Sequence, residues 1–322
     1  MSEVRDAEGL AKLTESRRWI PPGNGAKWSA GLMSPSGLAA FDAVVRSDAF
    51  AFLEAWGDTT LGMVTGSNRF FTLSPAKVEA LGLSEPDVLP LSPPGSRHLR
   101  GLALTPNAIR DLGAGGQSTY LFRPAGEPSA AGWHYIRSGE DLDVHQAYKC
   151  RVRTPWWRVP YLRPADLLLT YMNADTPRLT TNRARVHHLN SVHGVYLRDH
   201  LRQDGMNLLP LASLNSVTLL GAETVGRAYG GGMLKIEPRE ADVLPVPSPE
   251  LVRRNADQLR RVRPAVAARL QEGRLLDAVA LVDHVLLTAP STMTERALRA
   301  VRRDHATLTA RRISRGKANG AK

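Results

Sequence analysis

The sequence has almost no cysteine, few aromatic residues and no long apolar run. Cys150 is the only cysteine among 322 residues, which excludes an internal disulfide framework and a cysteine-rich zinc site. No run of about 18 apolar residues is present, so no stretch of the sequence is typical of a membrane-spanning helix. The N-terminal sequence MSEVRDAEGLAKL carries acids and no apolar block of the kind that secretory signals have. Because 43% of the residues are apolar, we expect a folded protein. The single cysteine and the lack of a signal or spanning stretch make a cytoplasmic location the expectation.

Sequence patterns typical of catalytic sites are also missing. The two Pro-Pro strings, at 20–23 (IPPG) and 92–95 (SPPG), lack the amide or carboxylate and the aromatic ring with which adenine methyltransferases hold a flipped base. Residues 113–117 (GAGGQ) lack the preceding strand and the spacing of a nucleotide-binding loop. The three histidines within 187–193 have no carboxylate or thiol nearby to complete a metal site. The sequence therefore predicts no catalytic residue and no metal ligand.

Positive charge is concentrated in the last quarter of the chain. The formal net charge is +11, from 42 basic and 31 acidic residues. Residues 251–322 hold 16 Lys and Arg against 6 Asp and Glu, whereas residues 1–250 hold 26 against 25. Such asymmetry indicates a polyanion such as nucleic acid, or an acidic partner surface. A solvated, arginine-rich helical face is the alternative interpretation.

A second basic stretch combines arginine with aromatic residues. Residues 149–163 (KCRVRTPWWRVPYLR) contain five basic residues and no acid, with Trp156, Trp157 and Tyr161 between them. Guanidinium groups fit phosphates and guanine edges, and indole rings stack on bases. This pattern favours nucleic-acid binding. The alternative is that the two tryptophans are the core and rim of a strand and the arginines only cover them.

The spacing of apolar residues predicts the main elements. It predicts a helix over 38–56, and a strand, a turn and a second strand over 61–74 with Gly66-Ser67-Asn68 as the turn. Residues 151–246 read as β-rich, including a strand at 216–226. After Ser248, a typical helix N-cap, three helices are predicted, the third starting at the capping-box pattern 292–295 (TMTE).

Three strings, in this order, carry a resemblance to a known family. They are 61–71 (LGMVTGSNRFF), the pair 155–160 (PWWRVP) and 186–197 (VHHLNSVHGVYL), and 229–238 (YGGGMLKIEP). Over about residues 55–250 the chain resembles the target-recognition, C-terminal region of bacterial adenine-N6 DNA methyltransferases. The first string is similar to the "G-hydrophobic-x-T-G-x-N-x-x-F" segment that opens this region in many of these enzymes.

The resemblance implies an α+β fold in three parts. These are an N-terminal helical and loop segment (1–55), a β-rich DNA target-recognition domain (56–247) and a basic α-helical C-terminal region (248–322). It also implies that the catalytic domain is missing, so we expect a split methyltransferase. This chain would then be its specificity subunit on double-stranded DNA. S-adenosylmethionine and the catalytic motif would belong to a partner chain, with no cofactor in this one; a fragment of a longer enzyme is the alternative.

The resemblance and the basic-aromatic pattern together give a set of candidate DNA contacts. The set is Thr65, Gly66, Ser67, Asn68, Arg69, Arg153, Trp156, Trp157, Arg158, Arg183, Arg185, Ser191, His193, Gly231 and Lys235. Arginines would hold phosphates or read base edges, and the glycines would let backbone amides approach a phosphate or another strand closely. For Gly230 to Gly232, a tight turn alone is the alternative.

Two other functions stay open on the sequence. One is a stand-alone DNA-acting enzyme, a nuclease or methyltransferase, with a site that the patterns above do not reveal. The other is an arginine-rich scaffold that assembles with an acidic protein partner and does not act on DNA.

Overall fold

The computed structural model describes residues 7–11 and 31–319, which form an α+β fold as the sequence predicted. The strands are β1 (Phe50–Phe52), β2 (Gly57–Leu61), β3 (Thr72–Leu73), β4 (Val88–Pro90), β5 (Ala103–Leu104), β6 (Tyr120–Phe122), β7 (Leu167–Thr170), β8 (Met172–Asn173), β9 (Leu179–Asn182), β10 (Val192–Leu197), β11 (Arg227–Tyr229), β12 (Met233–Lys235) and β13 (Pro245–Pro247). The helices are α1 (Ala7–Ala11), α2 (Pro35–Val45), α3 (Asn68–Phe71), α4 (Pro75–Ala80), α5 (Pro106–Ala114), α6 (Ala130–Asp141), α7 (Tyr148–Arg151), α8 (Arg202–Ala212), α9 (Ser216–Val225), α10 (Pro238–Asp242), α11 (Pro249–Arg254), α12 (Ala256–Gln271), α13 (Leu275–Asp283), which continues as a π-helix over His284–Thr288, and α14 (Glu295–Asn319).

A five-stranded sheet in the order β2-β10-β7-β9-β5 lies at the centre of the molecule. Its pairs are antiparallel except for β5 and β9. Every residue of β7 and β10 is buried, because both faces of the sheet are covered. Strands covered on both faces need apolar residues throughout rather than in alternation, which explains the run Leu167–Leu169. Three smaller sheets, β1-β13, β3-β6-β4 and β11-β12-β8, surround it.

Strand direction decides which loops share an edge of the central sheet. Because β2 and β10 are antiparallel, the end of β2 and the start of β10 lie at one edge. The segment after Leu61 and residue Ser191 therefore leave the sheet together. Strand β9 runs in the same direction as β10, so the turn after Asn182 lies at the opposite edge.

A second apolar cluster, most of whose members lie between Met63 and Leu162 and which also includes Leu189, is called the aromatic lobe here. It contains the β3-β6-β4 sheet, α6 and α7. The rings of Phe70 and Tyr135 are stacked with centroids 4.5 Å apart, and Trp156 packs 5.8 Å from Phe70. Trp157 meets Trp133 edge to face at 6.0 Å. Eight of the 19 aromatic residues of this aromatic-poor sequence thus belong to this one core.

The main core combines the two ends of the described chain with the central sheet. Helix α2, one face of the sheet, α8, α9 and the C-terminal helices contribute to it. Trp56 is fully buried there, and its Nε1 donates to the Pro247 carbonyl at 2.9 Å. This one core therefore takes residues from each of the three segments 1–55, 56–247 and 248–322.

Three predicted elements differ from the structure. The helix predicted over 38–56 ends at Val45, because Phe50–Phe52 pairs with β13 instead. The second strand of the predicted hairpin is mostly helical: Asn68–Phe71 forms α3, and only Thr72–Leu73 is a strand. The strand predicted at 216–226 is helix α9, whose residues are buried all around, so that its sequence lacks helical periodicity.

The predicted C-terminal helices are confirmed, as is the Ser248 cap. The capping box indicated by 292–295 is wrong, because the helix begins at Glu295 and is capped by Thr294, two residues later than the pattern places the cap. The side chain of Ser248 accepts from the Leu251 amide at 3.2 Å, and Thr294 accepts from the Ala297 amide at 3.2 Å. Among the described residues no single helix has the length and apolar composition of a membrane span. The bent pair Asp199–Ala212 and Ser216–Val225 reaches them only when its two members are taken together.

Candidate nucleic-acid interface

The first sequence string forms a tight turn closed by its own side chains. The Thr65 hydroxyl accepts from the Ser67 amide at 3.1 Å and donates to Asn68 Oδ1 at 2.6 Å. Gly66 has a φ of 91°, a left-handed conformation that favours glycine. Thr65 is buried, while Gly66, Asn68 and Arg69 are exposed and Ser67 is half-buried. The turn thus presents consecutive polar groups to solvent.

Arg153 holds this turn from behind. Its Nη1 donates to the Thr65 carbonyl at 2.7 Å and its Nη2 to the Val64 carbonyl. The Cys150 thiol also donates to the Thr65 carbonyl, at 3.6 Å. Burial lowers the pKa of the Arg153 guanidinium. The structure therefore brings the first two strings together, with Arg153 against the backbone of the turn.

The two tryptophans of the second string pack into the aromatic lobe. Trp157 is 4% exposed, and Trp156 is half-buried with its Nε1 donating to Glu140 Oε1 at 3.0 Å. Their segment is irregular and forms no strand. Trp157 is thus a core residue, as the alternative interpretation of the basic-aromatic stretch predicted, but it lies in an irregular segment and not in a strand.

Arginines next to the tryptophans stack on aromatic rings. The guanidinium of Arg158 lies 5.0 Å from the Trp157 ring, and that of Arg163 lies 4.7 Å from the Tyr196 ring. Both arginines are exposed. Stacking on a ring fixes the plane of a guanidinium and leaves its edge N–H groups for phosphate or base acceptors.

Sequence reasoning missed Arg123, which joins this surface from β6. Its guanidinium lies 4.9 Å from the ring of Tyr161, which is 56% exposed, and its Nε donates to the Val159 carbonyl at 2.9 Å. Arg123 is 36 residues before Val159 in the chain, in a segment without any basic pattern, so no local signal points to it.

The cations of residues 149–163, which we call the basic segment, have no acidic partners. Within the parts of the chain that the structure describes, no ion pair is formed by any of Lys149, Arg151, Arg153, Arg158 and Arg163. All of them except Arg153 are exposed. The basic segment therefore offers uncompensated positive charge beside the Thr65–Arg69 turn.

Ser191 and His193 each form a hydrogen bond within the protein. The Ser191 hydroxyl accepts from the Gly95 amide at 3.0 Å and so fixes the 92–95 loop. His193 has no exposed surface, and its Nε2 donates to the Ile236 carbonyl at 2.7 Å. Burial lowers the pKa of His193, which keeps the imidazole neutral.

The neighbouring His188 ring is enclosed by two glycines. A Cβ atom on Gly62 or on Gly194 would lie 2.8 Å or 2.6 Å from the His188 ring, so both glycines are needed for its placement. Burial lowers the pKa of His188 to about 4. Over residues 7–11 and 31–319, no three His, Cys, Asp or Glu side chains are grouped so as to hold a metal ion.

Arg183 and Arg185 lie at the opposite edge of the central sheet from the Thr65–Arg69 turn. Both are exposed; Arg183 donates to the Asn207 side chain of α8, and Arg185 has a positive φ of 51°. The structure separates these two arginines from the Thr65–Arg69 turn; only the Arg163 end of the basic segment comes near them, since Asn182 Nδ2 donates to the Ala165 carbonyl at 3.0 Å.

The third sequence string serves the C-terminal helix. A Cβ atom on Gly232 would lie 3.0 Å from the Ile313 Cα, and Arg312 of α14 donates to the Gly232 carbonyl. Gly231 is exposed and has a φ of 71°. The close approach that this string permits is therefore that of α14, which favours a packing role for the glycines.

Lys235, from the same string, is surrounded by partners of its own. Its Nζ lies 2.7 Å from Glu237 Oε1, and 5.2 Å and 5.4 Å from the ring centroids of Tyr171 and Tyr229. The hydrogen bonds of Lys235 to the side chains of Glu237 and Tyr171 raise its pKa, and the Glu237 carboxylate compensates its charge.

Sequence comparison finds a matching family and similar curated proteins. The family described as "Type II methyltransferase M.Eco57I, C-terminal domain" matches residues 25–287. The type II methyltransferase M.XamI of Xanthomonas campestris pv. amaranthicola is 38% identical over 105 residues, which are 33% of this chain and 19% of that protein. The type II methyltransferase M.AccI of Acinetobacter calcoaceticus is 24% identical over 180 residues, 56% of this chain and 33% of that protein.

A solved structure shares the fold. The type IIG restriction endonuclease BpuSI superposes with a TM-score of 0.50 at 12% identity, over 88% of this chain and 34% of that one. The matched region is thus a third or less of the length of the two curated relatives. Because the family match takes in most of the chain, the protein belongs to the family of type II methyltransferase C-terminal domains represented by M.Eco57I.

Proposed function

We propose that this chain is the DNA target-recognition component of a type II adenine-N6 DNA methyltransferase, within a restriction-modification or phage-defence system. The observation that carries the proposal is the basic segment: exposed cations without carboxylate partners, stacked on aromatic rings, beside a rigid polar turn. Membership of the M.Eco57I C-terminal domain family supports it, since the curated relatives are named as methyltransferases.

The contacts divide by chemistry. Exposed cations such as Lys149 and Arg151 hold phosphates, which position the duplex and release counterions. Arg158, whose guanidinium lies 5.0 Å from the Trp157 ring and donates from Nη2 to the Gly126 carbonyl at 3.5 Å, is placed to read guanine or to bind a phosphate with its other N–H groups. The Thr65–Arg69 turn, beside these cations, contributes neutral donors from Ser67 and Asn68.

In this proposal the chemistry of methyl transfer belongs to a partner chain. That chain binds S-adenosylmethionine and carries the motif that holds the flipped adenine. The matched regions of M.XamI and M.AccI are 19% and 33% of those methyltransferases, which supports the assignment of catalysis to a region outside the one described. The chain is then a specificity subunit and no residue of it is assigned a catalytic role.

Removing Arg158 tests the proposed interface directly. Binding of a fluorescent duplex is measured by anisotropy from 50 to 300 mM salt, for the chain alone and with its partner. Arg158→Ala is expected to weaken binding about tenfold and to lower the slope of log K against log salt by about 0.9, the value for one phosphate. Arg299→Ala is the matched control, since Arg299 is an exposed arginine on α14. An equal loss in both variants, or no binding to any duplex, contradicts the proposal.

Incubation with labelled S-adenosylmethionine tests the division of labour. We expect methylated adenine in duplex DNA only when a catalytic chain is added. Methyl transfer by this chain unaided, or cleavage of DNA in magnesium, assigns the activity to the chain itself. A stable protein complex that leaves DNA affinity and modification unchanged favours an assembly scaffold.

A further inference from the structure

The amide of Asn68 has a fixed orientation. The Thr65 hydroxyl donates to Asn68 Oδ1, 2.6 Å away, and its oxygen accepts from the Ser67 amide. The Nδ2 group therefore lies on the other side of the amide, and Asn68 is exposed. Within the described chain no hydrogen bond to Nδ2 is formed, so two N–H donors face solvent in a defined direction.

The turn that carries Asn68 is held against α7 from below. Arg153 and Cys150 bond its carbonyls, as described above. A Cβ atom on Gly66 would lie only 3.0 Å from Lys149 Cβ and 3.1 Å from Cys150 Sγ, so the turn is packed directly on that helix. Arg153 bonds the turn through the backbone carbonyls of Val64 and Thr65. Loss of this side chain therefore frees the turn without changing Asn68 itself.

Two exposed cations lie close to the turn that carries the amide. Arg69 follows it in the chain, and Lys149 lies against Gly66; both are exposed, and neither forms an ion pair within the described residues. A polyanion held by these two cations would bring its hydrogen-bond acceptors to the Asn68 amide.

On this geometry we propose that Asn68 is a DNA-contacting residue that donates from Nδ2 to an acceptor of the duplex, and that Arg153 is the positioning residue for it. The proposal rests on the proposed function and assigns roles within that site. The acceptors with the required chemistry are purine N7, guanine O6 and thymine O4 at base edges, and phosphate oxygens. Arg153, singled out by sequence as a DNA contact, acts through the turn and touches no DNA.

Three substitutions separate a donor role from a structural one. Asn68→Ala removes both the Thr65 bond and the donors, and is expected to weaken duplex binding about tenfold, the size of one hydrogen bond to DNA. Asn68→Asp keeps an oxygen for the Thr65 hydroxyl but replaces the NH2 group with a second oxygen and a negative charge. It is expected to bind more weakly than Asn68→Ala. Thr65→Val keeps the donors and is expected to bind better than either.

A structural role for Asn68 predicts the reverse order. Asn68→Asp, which preserves the bond within the turn, would then bind like the wild type, and this result overturns the proposal. The matched control is Asn107, an exposed asparagine in the first turn of α5 whose Oδ1 accepts from Arg110 at 2.6 Å. Asn107→Ala and Asn107→Asp are expected to leave affinity within twofold. Thermal unfolding of each variant checks that the lobe is folded.

Selection from a randomised duplex pool distinguishes the two sources of the acceptor. If Nδ2 reads a base edge, Asn68→Ala relaxes the preference at one position of the selected sequence and Asn68→Asp moves it toward donor-presenting bases. If Nδ2 bonds a phosphate, the selected sequence is unchanged and affinity falls for all sequences alike. Unchanged affinity and unchanged selection together overturn the proposal.

Salt dependence and a double substitution test the role of Arg153. Arg153→Met is expected to lower affinity without changing the salt slope, because no phosphate contact is lost, whereas Arg158→Ala lowers the slope. Its loss is expected to be absent when Asn68 is already Ala, since both act through one contact. A slope lowered by about 0.9 in Arg153→Met, or additive losses, overturns the positioning role. Failure of the wild type to bind any duplex removes the proposed function itself, which is a separate result.

Discussion

Two arginine-rich regions of this protein use their charge in opposite ways. In the basic segment, exposed cations stack on aromatic rings and face no carboxylate among the described residues. In the C-terminal helices, seven arginines form ion pairs within the structure: Arg253, Arg254, Arg260, Arg269, Arg274, Arg302 and Arg312. The region with the larger formal charge therefore has seven of its arginines compensated within the fold, two of them on buried carboxylates, so net charge alone does not locate uncompensated positive charge.

The most deeply buried ion pair of the C-terminal helices joins Arg312 to Glu223. Their side chains are 3% and 5% exposed, and Arg312 also bonds the Gly232 and Asp175 carbonyls. Arg302 similarly reaches Asp283, which has no exposed surface. These contacts tie α14 to α9, α13 and the third sequence string.

The largest expected effect is the loss of Arg312. Arg312→Met leaves the Glu223 carboxylate buried without its cation, which costs about 3–5 kcal/mol of folding free energy. Urea unfolding followed by circular dichroism measures it, and Arg299→Met, an exposed arginine on the same helix, is the control with a change within about 0.5 kcal/mol. If both substitutions cost the same, arginine pairing does not distinguish the two regions.

The loss of folding stability at low pH, which comes from the buried histidines, also tests the comparison. Burial lowers the pKa of four histidines beside the aromatic lobe but of one in the C-terminal helices, His305; the four are His98, His187, His188 and His193. For His188, with a pKa of about 4, the unfolded chain takes up its proton first as pH falls below 6.5. Stability is complete above that pH and falls by about 3 kcal/mol on the way to pH 4.

Hydrogen exchange at pH 7 and pH 5 locates that loss. We expect protection to fall first in β10 and the segment before it, around His188, and later in α14. Earlier exchange of α14 would mean that the helices, with their paired arginines, are the acid-sensitive part, contrary to the comparison.

The smallest expected effect is on the duplex affinity of variants that lack exposed arginines of α14. Arg296, Arg299 and Arg303 are exposed on α14, and replacing all three with Ala is expected to change duplex affinity less than twofold. The same triple change at Lys149, Arg151 and Arg158 is expected to weaken binding about a hundredfold at low salt, since three phosphate contacts are lost. Anisotropy titrations compare the two triple variants, and equal losses would extend the interface to the helices.

Local signals in the sequence predicted the C-terminal helices well. Ser248 caps its helix as the pattern indicated, because a cap is formed by residues three positions apart, whereas the last helix is capped by Thr294, two residues after the position that the capping-box pattern gave. Elements whose partners are distant were predicted wrongly. Phe50–Phe52 is a strand only because β13, almost 200 residues later, offers it an edge, and α9 has no helical periodicity because all its sides are buried.

The candidate site was predicted in part. The sequence placed polar residues at 65–69 and cations at 149–163, and the structure brings these two segments together. It separates Arg183 and Arg185 from the polar residues at 65–69, because antiparallel strands send the turn after β9 to the opposite edge of the sheet. Arg123 joined the surface without any local pattern, since its contacts are with Val159 and Tyr161.

The order of the three strings, the cap at Ser248 and the sign of the net charge are properties of the linear chain, and the sequence by itself determined them together with the family. Which arginines are compensated, which histidines are buried and which way Asn68 faces depends on groups far apart in the chain. Only the tertiary structure decided these, because a charge or a hydrogen-bonding group takes its role from the partners that folding brings within a few ångströms of it.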